Sequence, residues 1–270
     1  MRKLSWILRR HSFLYYARFW LLSSNSTKEE EDNETYNSFN SIEDIPEIYF
    51  EVNKRIFEGV NSGTDIEKAT HIARWLRSNI KGGRGLSLAS DSALSAMLND
   101  EGGVCSDLSQ VYNNFCVINN ILVKEWGITV IPFDKKYGGH AANEFFSKEL
   151  NKWVLIDVSR CITFYTFSKD KPLSALDVFY LHDGLKYDAF LQDIDDDTQI
   201  KNYYFNPSAT PFLISNYRNK IYDKYLKFFN SKIPVFFVHF FIFLIGKSYK
   251  YKFPLHDYRK MFKSGKSALS

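Results

Sequence analysis

The sequence has few cysteines, little net charge and no long apolar run, and each shortage excludes a class of protein. Only three of its 270 residues are cysteines, at irregular spacing, which excludes a disulfide framework. The formal net charge is +4, and neither zinc-finger spacing nor a basic recognition helix is present, so we expect no nucleic acid partner. The apolar stretch at 233–245 is too short to span a bilayer and indicates a buried or interfacial helix.

Targeting signals are also scarce. Arg9 and Arg10 interrupt the apolar start of the chain, and no small-residue cleavage site follows, so we expect no cleaved signal peptide. Together with the low cysteine content, this predicts a cytoplasmic protein with reduced thiols.

Two stretches resemble ligand-binding loops but lack residues that such loops need. The acidic stretch that begins at Asp193 has Thr198 and Tyr204 where a calcium loop requires Gly and Glu. The Gly-Gly-Arg-Gly stretch at 82–85 lacks the Lys-Ser/Thr ending of a phosphate loop. We interpret the first as a solvated loop and the second as a turn, and we expect no metal ion and no organic cofactor.

The charge pattern divides the chain into three segments. Residues 1–41 form a basic, aromatic start followed by an acidic polar linker; residues 42–200 carry the periodic patterns of a folded domain; residues 201–270 form an aromatic-rich, basic extension. Basic residues at both ends favour peripheral contact with an anionic membrane through the termini. A helix packed on the domain is the alternative for residues 2–22.

Apolar spacing predicts an α+β domain. Residues 65–80 have the spacing of an amphipathic helix, with Thr64 or Asp65 as its cap. A second helix is predicted to begin at Cys105, because apolar residues recur on one face from Leu108 onward. Three strands are predicted to follow, at 128–133, 140–147 and 153–158.

Cys105 is the candidate nucleophile. A cysteine reacts as the thiolate, and the N-terminus of a helix lowers a thiol pKa through its unpaired amides and partial positive charge. Gly102 and Gly103 precede Cys105, and we expect them to let the backbone approach a substrate closely. The amide of Cys105 is then a candidate oxyanion donor.

His140 and Asp157 are the candidate partners. His140 opens one predicted strand, and Asp157 lies near the end of the next, where its carboxylate can orient the imidazole. Cys116 and Cys161 are interpreted as structural. Glu144 is expected to face solvent or to support its strand, and Trp153 is expected to serve packing.

Three motifs in order resemble the transglutaminase-like superfamily. The chain has G-G-V-C-S-D-L-S-Q at 102–110, G-G-H-A-A-N-E-F at 138–145 and K-W-V-L-I-D-V at 152–158. Cys105 and His140 are 35 residues apart, and His140 and Asp157 are 17 apart, which agrees with family spacing. The sequence departs from the family pattern at Ala142 and Val158 and lacks an Arg after Gly127, which leaves the substrate class open.

The resemblance implies an α+β, papain-like core in which the cysteine-bearing helix packs on an antiparallel sheet, with helical flanking segments. It implies acyl transfer on a protein or peptide amide through a Cys105 thioester, and we favour hydrolysis. The alternatives are an amine-accepting transglutaminase and a non-catalytic module of the same fold that binds a peptide or glycan. A membrane-associated scaffold is a third.

The proposed triad requires a particular strand register. Directly opposed residues in an antiparallel pair have numbers with a constant sum, and His140 and Asp157 share a face only if that sum is odd, such as 297 or 299. The same parity places Ala142, Trp153 and Leu155 on the catalytic face, where we expect them to wall the cleft. Val154 and Ile156 then point to the opposite side.

Overall fold

The computed structural model describes residues 12–61, 63–134, 137–168, 171–181, 185–190, 197–229 and 233–262. The described residues form the helices α1 (Ser12–Leu22), α2 (Lys28–Asn33), α3 (Glu47–Ile56), α4 (Asp65–Asn79), α5 (Ser90–Leu98), α6 (Cys105–Ile118), α7 (Ala175–Leu181), α8 (Asp197–Tyr204), α9 (Asn219–Phe229) and α10 (Val235–Leu244). They form the strands β1 (Ser23–Asn25), β2 (Val123–Val130), β3 (His140–Ser147), β4 (Lys152–Asp157), β5 (Ile162–Tyr165), β6 (Lys186–Ala189), β7 (Ala209–Ser215) and β8 (Lys250–Phe253). Short 3₁₀ turns lie at Tyr36–Ser38, Ile42–Asp44 and Tyr258–Phe262. Residues 1–11, most of the acidic loop (193–196) and the basic end (263–270) lie outside the described residues.

One mixed sheet organises the domain. Its strands follow the order β1-β8-β7-β2-β3-β4-β5-β6, and every neighbouring pair is antiparallel except β1 and β8. The α+β class, with the cysteine-bearing helix on an antiparallel sheet, is confirmed. Strands from all three predicted segments join this sheet, so the predicted division at residue 200 does not coincide with a break in it.

The helix α4 forms where the apolar spacing predicts it. Thr64 is its cap: the Thr64 side chain accepts from the amide of Glu67 at 3.2 Å, and Glu67 accepts in return from the amide of Thr64 at 3.0 Å. Ala69, Ile72 and Leu76 are buried on one face. Capping and amphipathic spacing therefore agree in this segment.

Helix α6 begins at Cys105, as predicted, and packs on one face of the sheet. Its Leu108 and Phe115 join a core that includes Phe145 of β3 and Ile156 of β4. This packing places the N-terminus of α6 beside the strands that carry His140 and Asp157.

The register of β3 and β4 has the predicted parity. Asn143 lies opposite Ile156 and Phe145 opposite Val154, so opposed residue numbers sum to 299. The turn consequently centres on Glu149 and Leu150. This prediction is confirmed, and it puts His140 and Asp157 on the same face of the sheet.

The expectation that neighbours on this face wall a cleft is wrong for two of the three residues. Ala142 and Leu155 are fully buried in a second core, beneath α7 and α8. Trp153 is half-buried and packs on Phe146, with ring centroids 5.4 Å apart, which supports its interpretation as a packing residue.

The strand predicted at 128–133 is β2, which begins five residues earlier and ends three residues earlier than predicted. Lys124 and Glu125 interrupt the apolar pattern at its start, yet both are buried in β2. Lys124 donates to the backbone oxygen of Glu31 at 2.6 Å and lies 3.8 Å from the ring centroid of Trp153. These long-range partners compensate the buried charge and are invisible to local sequence patterns.

Glu144 supports its strand and does not face solvent. It is 2% exposed and accepts from Nε1 of Trp126 at 3.0 Å and from the amide of Ala175 at 2.7 Å. Its carboxyl group therefore links β3 to β2 and to the start of α7.

Helices α1, α9 and α10 pack around the β7–β8 side of the sheet. Segment 233–245 is mainly the helix α10, which buries Val238 and Ile242 but leaves several large apolar side chains exposed: Phe237, Phe240, Phe241 and Leu244. Within the described ranges, none of the helices combines the length and the apolar character needed to cross a bilayer.

Candidate active site

Two glycine-rich loops meet at the start of α6. The amide of Gly83 donates to the backbone oxygen of Gly103, and the amide of Gly103 donates to that of Arg84, each at 2.8 Å. The stretch at 82–85, predicted as a turn, thus supports the loop that precedes Cys105.

The backbone at Gly102 lies close to another part of the chain. Its φ is +145°, and a Cβ atom there would lie 2.6 Å from the backbone oxygen of Arg84. A glycine is therefore needed where this other part of the chain approaches.

Asp107 caps the helix that carries the candidate nucleophile. Its Oδ2 accepts from the amide of Val104 at 2.9 Å and from that of Leu86 at 3.2 Å. The hydrogen bond from Leu108 to the Val104 oxygen, at 3.0 Å, begins the α6 ladder. The amide of Cys105 precedes that ladder and so belongs to the electropositive end of the helix.

His140 and Asp157 form a direct buried contact. Nε2 of His140 lies 2.6 Å from Oδ2 of Asp157, and their side chains are 3% and 0% exposed. The other ring nitrogen, Nδ1, therefore remains for the hydrogen bond between His140 and Cys105. Because opposed residues in β3 and β4 have an odd sum, both side chains lie on one face of the sheet and can make this contact.

Asp157 receives three further hydrogen bonds that sequence reasoning missed. Its Oδ1 accepts from the hydroxyl of Ser159 at 2.7 Å and from the amide of Arg160 at 3.1 Å. Its Oδ2 accepts from the hydroxyl of Tyr204 at 2.9 Å. Ser159 and Arg160 lie in the turn directly after Asp157, where proximity in sequence is a usable signal; Tyr204 comes from the distant helix α8.

Tyr203 covers the imidazole. Its ring stacks on that of His140 with centroids 4.4 Å apart and an interplanar angle of 8°. Adjacent residues of α8 thus fix both partners: Tyr203 fixes the imidazole plane, and Tyr204 contacts the carboxylate.

The electrostatics favour a charged pair at Cys105 and His140. Burial alone raises the pKa of the Cys105 thiol, but the hydrogen bond and charge of His140, with the Ala141 amide, outweigh it and hold that pKa below its ordinary value. Burial opposes charge on His140 as well, yet Asp157 and Cys105 raise its pKa well above the usual range. The geometry therefore supports a thiolate beside an imidazolium.

Asp157 remains ionised in this arrangement. Burial raises its pKa, but the charge of His140 and the donors around it lower it below the ordinary value. Burial and the adjacent Asp157 raise the pKa of Tyr204 well above its usual range, so the Tyr204 hydroxyl keeps its proton and donates.

The other cysteines have the properties of packing residues. Cys116 and Cys161 are fully buried, and burial raises both thiol pKa values, that of Cys161 to about 12. Cys105 is partly accessible. Of the three thiols, only Cys105 combines access with a lowered pKa.

The remaining described histidines lie in other surroundings. His71 contacts the backbone oxygen of Ile56 at 2.6 Å, and His239 contacts Arg18 at 3.2 Å. The backbone oxygen of His256 accepts from Nδ2 of Asn25 at 3.3 Å, and His11 and His182 lie outside the described residues. Across the residues that the structure describes, no three His, Cys, Asp or Glu side chains are grouped to hold a metal ion.

Comparison with known proteins agrees with the resemblance predicted from the three motifs. The family model of the transglutaminase-like superfamily matches residues 51–158, which include Cys105, His140 and Asp157. The chain thus carries a transglutaminase-like core. No curated protein sequence matches the chain.

A solved structure of a candidate cysteine protease from Cytophaga hutchinsonii is similar at greater distance. It aligns with 52% of this chain at 14% identity and a TM-score of 0.32. The alignment covers 47% of that protein, so this chain spans about half its length. At this distance the alignment carries no argument about activity.

Proposed function

We propose that the protein performs thiol-dependent acyl transfer, and that it hydrolyses amide or peptide bonds. The observation that carries this proposal is the contact series from Cys105 through His140 to Asp157, combined with a thiol pKa below the ordinary value. Such a thiolate–imidazolium pair supplies both the nucleophile and the proton that cleavage of an amide requires.

In the first half-reaction the Cys105 thiolate attacks the carbonyl carbon and forms a C–S bond. The negative charge moves to the carbonyl oxygen, where the Cys105 amide at the α6 N-terminus is positioned to donate. His140 then gives its proton to the leaving nitrogen as the C–N bond breaks. The products are an amine and a thioester.

In the second half-reaction water attacks the thioester. His140, now neutral, removes a proton from the water, and the C–S bond breaks to release a carboxylic acid and restore the thiolate. Asp157 orients the imidazole through both half-reactions, and the Tyr204 hydroxyl holds Asp157 in place.

Water is the favoured acceptor, and a protein or peptide is the favoured substrate. An amine in place of water makes the same thioester a cross-linking intermediate, and a core of this fold that binds peptide or glycan without turnover is the other alternative. Because the mechanism needs a reduced Cys105, we also propose a reducing, cytoplasmic location, with contact at an anionic membrane surface.

Labelling with an iodoacetamide-alkyne probe, followed by mass-spectrometric mapping, tests the proposal. Cys105 should be labelled before Cys116 and Cys161, and Cys105→Ala should lose both the label and the hydrolysis of a peptide library. Turnover should release free acids. Amine adducts in the presence of an added primary amine would instead show a transferase, and equal labelling of the three thiols would contradict catalysis.

A further inference from the structure

A cavity lies beside the helix that carries Cys105. Its volume is about 460 Å³, and it is bounded by Ser106 and Gln110 of α6, Glu125 of β2, Tyr222 of α9 and Arg18 of α1. Sites for small ligands typically have volumes of a few hundred Å³. The first turn of α6 therefore carries the proposed nucleophile and, through Ser106, also lines this cavity.

Glu125 forms the acidic side of the cavity. It is 1% exposed; Oε2 accepts from Nδ2 of Asn113 at 3.0 Å, whereas Oε1 has no hydrogen-bond partner. Burial raises its pKa to about 8, and Cys105 is close enough to contribute to the shift. A buried carboxyl oxygen without a partner carries a desolvation cost that a ligand donor would relieve.

Arg18 forms the basic side. Arg18 as a residue is half-buried; its guanidinium donates to the hydroxyl of Tyr249 and lies 3.2 Å from Nδ1 of His239. Both partners lack a formal negative charge, and among the described residues no carboxylate pairs with Arg18, Glu125 included. Arginine keeps its charge at any working pH and matches a carboxylate with two parallel N–H groups.

Apolar and aromatic side chains form much of the remaining lining. Its members include Tyr49, Val111, Tyr217, Leu226, Val235 and Phe236. A ligand that fits this lining has an apolar or aromatic body.

We propose that this cavity binds the carboxylate end of an acylated amino acid or peptide. Its α-carboxylate pairs with Arg18, its amide N–H donates to Glu125, and an apolar or aromatic side chain packs on the tyrosines. This assignment rests on the proposed function for its link to Cys105, since the substrate then carries a free carboxylate near the reacting amide.

Equilibrium binding to the Cys105→Ala protein tests the site without any chemistry. The probes are N-acetyl-phenylalanine, its C-terminal amide, which lacks the carboxylate, and O-acetyl-phenyllactic acid, which has an ester oxygen in place of the N–H. An acetylated tripeptide ending in phenylalanine separates a peptide terminus from a single acylated amino acid. Calorimetry should show that N-acetyl-phenylalanine binds with an affinity roughly tenfold or more higher than that of its C-terminal amide and that of the ester probe.

Two variants assign the contacts. Arg18→Met should abolish the preference for N-acetyl-phenylalanine over its amide, and Glu125→Met, which removes both carboxyl oxygens, should reduce the preference for the amide-linked probe over the ester. Arg18→Lys retains the charge and should keep part of the carboxylate preference, which separates recognition from a loss of folding. Circular dichroism of each variant checks the fold.

The outcomes distinguish this site from the proposed function. Equal affinity for the acid and the amide would overturn the carboxylate assignment even if the Cys105 enzyme is active. If N-acetyl-phenylalanine binds selectively but the wild-type protein shows no hydrolytic activity, the site is supported and the proposed catalysis is contradicted. Binding that survives Arg18→Met with full acid selectivity would place the carboxylate elsewhere and overturn the proposal.

Discussion

The hydroxyl of Tyr204 donates to Oδ2 of Asp157 at 2.9 Å, the same oxygen that lies 2.6 Å from Nε2 of His140. One carboxylate oxygen thus receives a donor from each side. Because Tyr204 favours the ionised form of Asp157, it acts on the imidazole indirectly, as a positioning residue.

Replacing Tyr204 with Phe removes that donor and keeps the ring. We expect the free energy of unfolding to fall by about 1–3 kcal/mol, since a buried carboxylate loses a charge-assisted hydrogen bond. The acidic limb of the pH–rate profile should also move to higher pH, because Asp157 takes up a proton more readily. Urea denaturation and hydrolysis rates across pH measure the two effects.

Tyr180→Phe is the matched control, because Tyr180 is 71% exposed on α7. It should change neither measurement. A Tyr204→Phe variant that loses stability but keeps its pH profile would contradict the positioning role.

Asp157 is expected to set the pH at which Cys105 becomes reactive. Its charge helps to raise the pKa of His140, and charged His140 lowers the thiol pKa. In Asp157→Asn the imidazolium loses its proton at lower pH, so the Cys105 pKa rises. The onset of alkylation should therefore begin below the pH of free cysteine in the wild type and shift upward in the variant.

Iodoacetamide rates from pH 4 to pH 10, followed at Cys105 by mass spectrometry, measure this shift, with free cysteine as the reference. Ser159→Ala leaves the charge of Asp157 in place and should shift the onset less. Identical onsets in the wild type and Asp157→Asn would rule out the charged-pair mechanism.

The sequence contains local information that predicts the candidate triad. The helical period fixes the start of α6 at Cys105, and the period of two along β3 and β4 restricts His140 and Asp157 to one face. These are properties of neighbouring residues, so periodicity is enough to find them.

Contacts across the fold leave no comparable signal. Tyr204 reaches Asp157 from 47 residues away, and its own helix has no feature that indicates a carboxylate partner. Likewise, Lys124 and Glu125 resemble surface residues in the sequence, yet they are buried because tertiary partners and a second layer of helices surround β2. Tertiary context determines their environment, and one sequence does not contain it.

Glu125 is expected to make the stability of the protein depend on pH. Its folded pKa is about 8, above that of an ordinary glutamate, so the stability contributed by its protonated form is present at low pH and is lost as pH rises through about 8. The limiting slope for one proton is about 1.4 kcal/mol per pH unit. Glu125→Gln cannot ionise, so its advantage in unfolding free energy over the wild type should grow from pH 5 to pH 8.

Urea denaturation at pH 5, 6, 7 and 8 tests this expectation. Glu51→Gln, at an exposed position of α3, is the control and should follow the wild type at each pH. A Glu125→Gln variant that runs parallel to the wild type would show that Glu125 does not titrate in this range.

The exposed face of α10 is the part of the structure that best fits the expected membrane contact. Phe240 is 46% and Leu244 63% exposed there, and Lys224 and Lys247 are exposed on α9 and directly after α10. An apolar face with adjacent lysines suits an anionic bilayer surface, where each lysine contributes about 1 kcal/mol. Phe240→Ser/Leu244→Ser and Lys224→Glu/Lys247→Glu should each reduce co-sedimentation with phosphatidylserine vesicles.

Phe167→Ser is the control, because Phe167 is 66% exposed but follows β5 and belongs to neither α9 nor α10. Raising the salt concentration should weaken binding of the wild type, and neutral vesicles should bind it less. A wild-type protein that stays in the supernatant with anionic vesicles at low salt would exclude a lipid partner.

Gly102→Ala is expected to displace Cys105, the proposed nucleophile, without contacting it. The backbone at Gly102 has a φ of +145°, and the new Cβ would lie 2.6 Å from the Arg84 oxygen, so the two paired loops must move apart. A strained backbone costs about 1–3 kcal/mol, and the clash adds to it.

Gly59→Ala is the matched control: Gly59 also has a positive φ, +71°, but a Cβ atom there would meet nothing within 4 Å. Both variants should lose stability in urea, whereas only Gly102→Ala should also slow the labelling of Cys105, because its loop sets where α6 begins. Equal labelling rates in the two variants would show that the glycine loops stabilise the fold without positioning the thiol.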